Sequence, residues 1–181
     1  MKRWMLPCVS ALVLISLACG GGGSGPNPSP VNANRLVYTN PTDSSSWRLV
    51  RNSSSSDTTL LLDLLAPTGG YGRGVTVVLT ADPSLVSWKP VDGTSFIRNG
   101  GYAGDLIQKT SLKGGTLGVL LSQKPGVPAS YGVLPVLSVA LELKPGARPG
   151  AIQFTATQGS HLGVSATPEA MTIALGTLSV E

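Results

Sequence analysis

Histidine is almost absent from this 181-residue chain, aromatic residues make up 5% of it, and charged residues only 12%. Each shortage removes a class of function. His161 is the single histidine. Its neighbour Ser160 does not make a catalytic pair, because adjacent strand side chains point to opposite faces. No Gly-x-Ser-x-Gly elbow occurs, and the set of nucleophile, base and oxyanion stabiliser that hydrolysis requires is not assembled. The chain therefore reads as non-enzymatic, with no cofactor implied. A zinc site needs several His, Cys or carboxylate ligands, which one histidine and the available cysteines do not supply. Asp82, Asp92 and Asp105 are not spaced like a calcium loop, so no metal is assigned. Asp82, which precedes Pro83, reads instead as a turn residue whose carboxylate takes nearby backbone donors. The basic residues are scattered without clusters or interleaved aromatics, which excludes nucleic acid as a partner.

Glycine and proline are plentiful, at 23 and 14 residues, and they are spread along the whole length as single breakers and short clusters. That spacing suits many short strands and leaves little room for helices.

The N-terminus has a basic start at Lys2 and Arg3, an apolar run over residues 4–17, and small residues before Cys19. This is the anatomy of an export signal, and the run falls short of the roughly 20 residues a membrane helix needs. Removing it leaves 11 basic against 9 acidic side chains, since Lys2 and Arg3 are lost from the 13. The run Ile15-Ser16-Leu17-Ala18-Cys19 resembles the lipobox of bacterial lipoproteins, with Ser16 where leucine is most common. The resemblance implies cleavage after residue 18, acylation (palmitate among the chains) of Cys19, and a membrane anchor. Gly20 behind the cysteine, in place of aspartate, implies the outer membrane. An ordinary secretory signal cut elsewhere is the alternative. Residues 20–25 form a Gly-Ser tether and residues 26–30 a stiffer Pro-rich continuation. Cys8 is lost with the signal, which leaves Cys19 alone and no internal disulfide. The expected division is residues 1–18 as signal, 19–34 as lipidated cysteine and tether, and 35–181 as the folded domain.

From Arg35 onward apolar residues recur with a period of two. Leu60, Leu62 and Leu64 share one face; so do Val75, Val77 and Leu79; Leu117, Val119 and Leu121; Leu137, Val139, Leu141 and Leu143; and Ile152, Phe154 and Ala156. Asp63, among the leucines, is expected on the solvent side of its strand. Met171, Ile173 and Leu175 give way to Leu178 and Val180, and the shift of parity predicts a bulge at Gly176. Turn sequences lie at 67–70, 99–101, 113–115 and 144–146. Eight to ten strands with one buried face each predict an all-β, antiparallel two-sheet sandwich of jelly-roll type. The serine runs at 44–46 and 53–56 fit either a loop between strands or an edge hairpin.

Two stretches carry a second resemblance. Residues 74–86 form a glycine-led strand that ends in the Asp82-Pro83-Ser84 turn. Residues 132–143 alternate as a strand and lead through a Gly- and Pro-containing loop into another from Ala151. Together they resemble the cohesin-like sandwich, a relative of some carbohydrate-binding modules. No dockerin-like calcium repeat accompanies it. The resemblance implies a non-catalytic binding module that recognises an envelope or secreted protein through a flat sandwich face. Exposed apolar side chains around Leu61, Leu65 or Val136 would mark that face. The alternatives are a structural part of an envelope assembly, or binding of polysaccharide. In the last case Trp47, Trp88 and Tyr102 would stack on sugars, with Asn40, Arg48, Asn99 and Asp105 binding hydroxyls.

Overall fold

The computed structural model describes residues 31–102, 104–124, 129–131, 134–163 and 167–181. Cys19, the lipobox and the tether as far as residue 30 lie outside the described residues, as do Gly132 and Val133. The described residues form no helix and sixteen strand segments. In chain order these are β1 (Leu36–Thr39), β2 (Trp47–Arg51), β3 (Thr59–Leu65), β4 (Tyr71–Gly72), β5 (Gly74–Ala81), β6 (Val86–Lys89), β7 (Arg98–Asn99) and β8 (Leu106–Lys113). They continue as β9 (Thr116–Gln123), β10 (Ala129–Ser130), β11 (Leu137–Leu143), β12 (Gly150–Ile152), β13 (Phe154–Leu162), β14 (Pro168–Ala170), β15 (Ile173–Ala174) and β16 (Thr177–Val180). Ten of them have four residues or more, which matches the expected number of principal strands.

Two sheets stack. One runs β15-β2-β3-β11-β6 with β7 added beside β11, and the other runs β14-β13-β5-β9-β8. A third sheet runs β1-β16-β12, and β10 and β4 form a small pair. Four of the five predicted stripes make the core, whereas Ile152 falls on β12 and Phe154 and Ala156 on β13, in different sheets. Leu60, Leu62, Leu64, Leu137, Val139 and Leu141 from the first sheet face Val75, Val77, Leu79, Leu117, Val119 and Leu121 from the second, all nearly inaccessible. Each such side chain contributes about 1.5–3 kcal/mol on burial, so this layer, not the surface ion pairs, holds the sheets together.

The chain ends depart from the sequence reading. Residues Ile173 and Ala174 pair with Trp47 and Arg48 in parallel, the one parallel pairing among the described strands. After Gly176 the chain joins a different sheet, with Thr177–Val180 antiparallel to Leu36–Thr39. The parity shift is therefore a change of sheet, and not a bulge within one. Glycine is required there because a Cβ would stand 1.8 Å from the Thr39 carbonyl oxygen. A bulge does occur in β13, between Ala156 and Gln158.

Asp63 also departs from expectation. It lies on the outer side of β3 yet is only 7% exposed. Its carboxylate accepts hydrogen bonds from Ser138 Oγ and Asn52 Nδ2, each at 2.6 Å. Alternation within one strand shows which side a residue takes. It does not show that β2 and β11 flank β3 and close over it. The serine run at 53–56 is the β2–β3 hairpin loop, where Ser55 Oγ accepts from the Leu61 amide at 3.0 Å. The run at 44–46 is a loop pinned by Asp43, which accepts from Ser45 N at 2.8 Å and from Ser46 Oγ at 2.5 Å. These donors hold the Asp43 carboxyl down at about 2.

Candidate interaction face

The three aromatic side chains proposed as sugar platforms are all buried. Trp47 and Trp88 are each 7% exposed and Tyr102 is 6%. Trp47 packs edge-on against Tyr131, with centroids 5.4 Å apart, and lies 5.6 Å from the His161 ring. Tyr102 donates its hydroxyl to Tyr131 at 3.0 Å, and burial pushes both phenols up from their ordinary range. Trp88 sits elsewhere, against Phe154, and donates Nε1–H to the Gly115 carbonyl at 2.8 Å. The rings are hydrophobic plugs with one polar end satisfied, so they present no stacking surface.

The polar residues grouped with them are engaged locally. Asn40 Oδ1 accepts from the Arg51 amide at 2.7 Å, and Arg48 donates to the Ser44 carbonyl at 2.8 Å. Asn99 holds both the amide and the carbonyl of Tyr102, and Asp105 pairs with Lys124 at 3.1 Å. Asp82 fixes its turn as expected, accepting from Ser84 N at 2.8 Å and Ser84 Oγ at 2.6 Å. Those bonds lower its carboxyl pKa. His161 has Glu169 at 3.4 Å and the Trp47 ring beside it, while Ser160 turns to the other face. No nucleophile stands against the imidazole among these contacts.

The predicted apolar patch is also displaced. Val136 is fully buried, Leu61 is 8% exposed, and Leu65 is half-buried. The outer face of their sheet is closed by its own pairs: Asp63 with Ser138 and Asn52, and Lys89 with Glu142 at 2.6 Å.

The other sheet presents a different surface. Because Val75, Val77 and Leu79 point inward, Thr76, Val78 and Thr80 point outward. Register then places Gly118, Leu120 and Ser122 of β9, Ile107, Lys109, Ser111 and Lys113 of β8, and Gln158, Ser160 and Leu162 of β13 on that same side. Pro168 and Ala170 of β14 extend it. No acidic side chain is among these described outward residues, and the charges present are Lys109 and Lys113. A shallow hollow of about 360 Å³ opens over Thr76, Val78, Gly118 and Leu120. A second, of about 220 Å³, shares Thr76 and Leu120 and runs toward Leu162 and Pro168. Gly118 keeps the floor low, since a Cβ there would meet Ser111 Oγ at 2.5 Å. The surface is flat, part apolar, rich in hydroxyls and singly signed. Such chemistry suits a protein surface better than a small ligand, which takes deeper enclosure.

Sequence reading missed this face because it followed inward stripes. A usable signal was present: the run Leu106–Lys113 precedes Gly114-Gly115 and then the stripe of β9. A two-residue Gly-Gly linker before an alternating run marks a hairpin. Gly114 there has φ 58°, as such turns demand.

No protein-family model matches the chain, and no curated protein matches it. Solved structures do. A type II cohesin domain from the cellulosome of Acetivibrio cellulolyticus is 12% identical, with a TM-score of 0.53, over 75% of this chain and 95% of that one. The fold is cohesin-like. The type II cohesin dyad of the ScaA adaptor scaffoldin from the same organism gives 0.56 at 10% identity, over 74% of this chain and 48% of that one. The sixth cohesin of its scaffoldin B, solved in complex with a Cel5 dockerin mutant, gives 0.51 at 10% identity, over 73% and 95%. The resemblance carried by residues 74–86 and 132–143 thus holds at the level of fold. In this chain residues 74–81 form β5 ahead of the Asp82 turn, and residues 137–143 form β11, which leads into β12 and β13.

Proposed function

We propose that this chain is a non-catalytic protein-interaction module, tethered to the outer membrane by lipid on Cys19, that docks a partner protein on the outer face of β14-β13-β5-β9-β8. The observation that carries the docking reading is that face: five strands wide, without acidic side chains, and hollowed over Val78, Gly118 and Leu120. On the opposite face Asp63 is bonded to Ser138 and Asn52, and Lys89 to Glu142. One fold neighbour was solved with a dockerin bound, and a protein partner is the analogous expectation here. Anchoring rests on the lipobox and on the Gly- and Pro-rich residues 20–30, which supply the spacer a surface-held domain needs.

The test uses the full chain expressed in a lipoprotein-processing bacterium and recovered from membranes in detergent. Radiolabelled palmitate should enter the wild type and not Cys19→Ser; equal labelling sinks the anchoring. For docking, the wild type should retain an envelope or secreted protein after glycosidase treatment, and Leu120→Glu should lose it. Equal retention by Leu120→Glu rejects the assigned face, and polysaccharide retained without protein rejects the interaction module.

A further inference from the structure

β8 forms one edge of its sheet, and among the described strands it pairs only with β9. It has eight residues, no proline and no bulge, and every residue from Ile107 to Lys113 is exposed. The other sheet edges are short or interrupted: β14 has three residues, β15 two and β12 three. A long straight edge leaves half its backbone groups unpaired, a template on which another extended chain can add.

Which groups are free follows from register. The Lys124 amide donates to the Asp105 carbonyl at 3.0 Å, so that pair is of the hydrogen-bonded kind. In an antiparallel ladder such pairs recur at every second residue. Ile107, Lys109, Ser111 and Lys113 therefore bond to β9, and Lys113 opposite Thr116 closes the Gly114-Gly115 turn in the same phase. Leu106, Gln108, Thr110 and Leu112 point their N–H and C=O groups away from the sheet. None of the four has a backbone bond to another described element.

The side chains choose the occupant. Lys109 and Lys113 project from one side of the edge, and among the described residues no acidic side chain pairs with either. They lie four residues apart, about 13 Å along a strand. Ile107 and Leu112 add apolar surface, at 42% and 46% exposure. A second copy of the chain would bring four lysines to one seam, and lysine on an edge is a known guard against such self-pairing. An acidic strand meets no such penalty, since opposite charges across a pair of strands stabilise it.

We propose that β8 binds an extended, acidic segment of a partner protein by strand addition. Leu106, Gln108, Thr110 and Leu112 supply the backbone ladder, and Lys109 and Lys113 select carboxylates at positions four residues apart. This rests on the protein-docking reading above and specifies how the partner engages that sheet.

The test is a titration of the isotopically labelled full chain in detergent with two synthetic eight-residue peptides, one alternating Glu and Val, the other Lys and Val. The expected result is slowed amide exchange at Leu106, Gln108, Thr110 and Leu112 with the Glu peptide, and about tenfold weaker binding of the Lys peptide. Thr110→Pro removes an outward donor and leaves the β8–β9 ladder whole; it should weaken the Glu peptide about tenfold without loss of the folded spectrum. The pair Lys109→Glu and Lys113→Glu, which leaves the backbone intact, should reverse the preference between peptides. The proposal is overturned if neither peptide protects those amides, if the charge-reversed chain keeps its preference, or if a well-folded Thr110→Pro chain binds as the wild type does. Should β8 stay silent while Leu120→Glu still abolishes protein retention, the edge fails and the docking face stands. Loss of all protein retention by the wild type fails the docking reading itself.

Discussion

Tyr38 offers the sharpest test of how the chain ends are held. Its hydroxyl donates to the Leu49 carbonyl at 3.0 Å and accepts from the Gly176 amide at 2.7 Å, and its ring meets Phe154 edge-on with centroids 6.2 Å apart. It thus ties β1 to β2 and to the point where the C-terminal chain changes sheets. Tyr38→Phe keeps the ring and deletes both bonds. The Leu49 carbonyl, a strand carbonyl with a second lone pair, loses about 1 kcal/mol. The Gly176 amide has no other backbone partner among the described residues, so its desolvation is left uncompensated, at about 1–3 kcal/mol. The sum is about 2–4 kcal/mol, or a fall of about 5–15 °C in Tm for a domain of this size. The pH dependence gives a second signature. Burial pushes the Tyr38 phenol up to about 12. A raised folded-state pKa contributes stability that is present below the unfolded value near 10 and lost as pH rises toward 12. Thermal melts of wild type and Tyr38→Phe at pH 8 should differ by the amount given, and the gap should narrow between pH 10 and 12. Equal melting temperatures at pH 8, or a gap constant to pH 12, would refute the reasoning.

Three further expectations concern the same fold. Ser138→Val leaves the Asp63 carboxylate, buried on the outer face, with Asn52 as its one remaining side-chain donor among the described residues; chemical denaturation should show a loss of about 1–3 kcal/mol, whereas a neutral effect would mean that the carboxylate finds another donor. Trp88→Ala should cost about 3–5 kcal/mol in the same assay, because it empties a core position and leaves the Gly115 carbonyl with the Ala81 amide in place of two donors, and a fully stable variant would contradict the burial of that ring. The loop at 43–46 should loosen only in strong acid, since Asp43, held at about 2, contributes order that is present above the unfolded carboxylate pKa and lost as pH falls toward 2; amide exchange at Ser45 that is already fast at pH 4 would contradict this.

Much of the sandwich was legible because its core is built from uninterrupted period-two stripes. Leu60, Leu62 and Leu64 on β3, and Leu137, Val139 and Leu141 on β11, have the same reading in sequence and in space. What escaped was set by neighbours in the sheet. Asp63 and Leu61 alternate outward correctly, but their exposure depends on β2 and β11 beside them. The parity shift at Gly176 carried real information, although one strand's pattern does not distinguish a bulge from a change of sheet. Trp47, Trp88 and Tyr102 were legible as large amphipathic rings, and whether such a ring stacks on a ligand or plugs a core depends on contacts far along the chain, such as Trp88 with Gly115. The docking face was nearly silent in sequence, because Thr, Ser and Gly on the outer side of a strand carry no periodic apolar signal.

The most direct test of the docking account is photo-crosslinking in living cells, with a photoreactive residue placed at Thr76 on the proposed face or at Ser87 on the opposite sheet. The account predicts a discrete protein adduct from position 76 and none from 87. An adduct from 87 alone, or no protein adduct from 76, would contradict it.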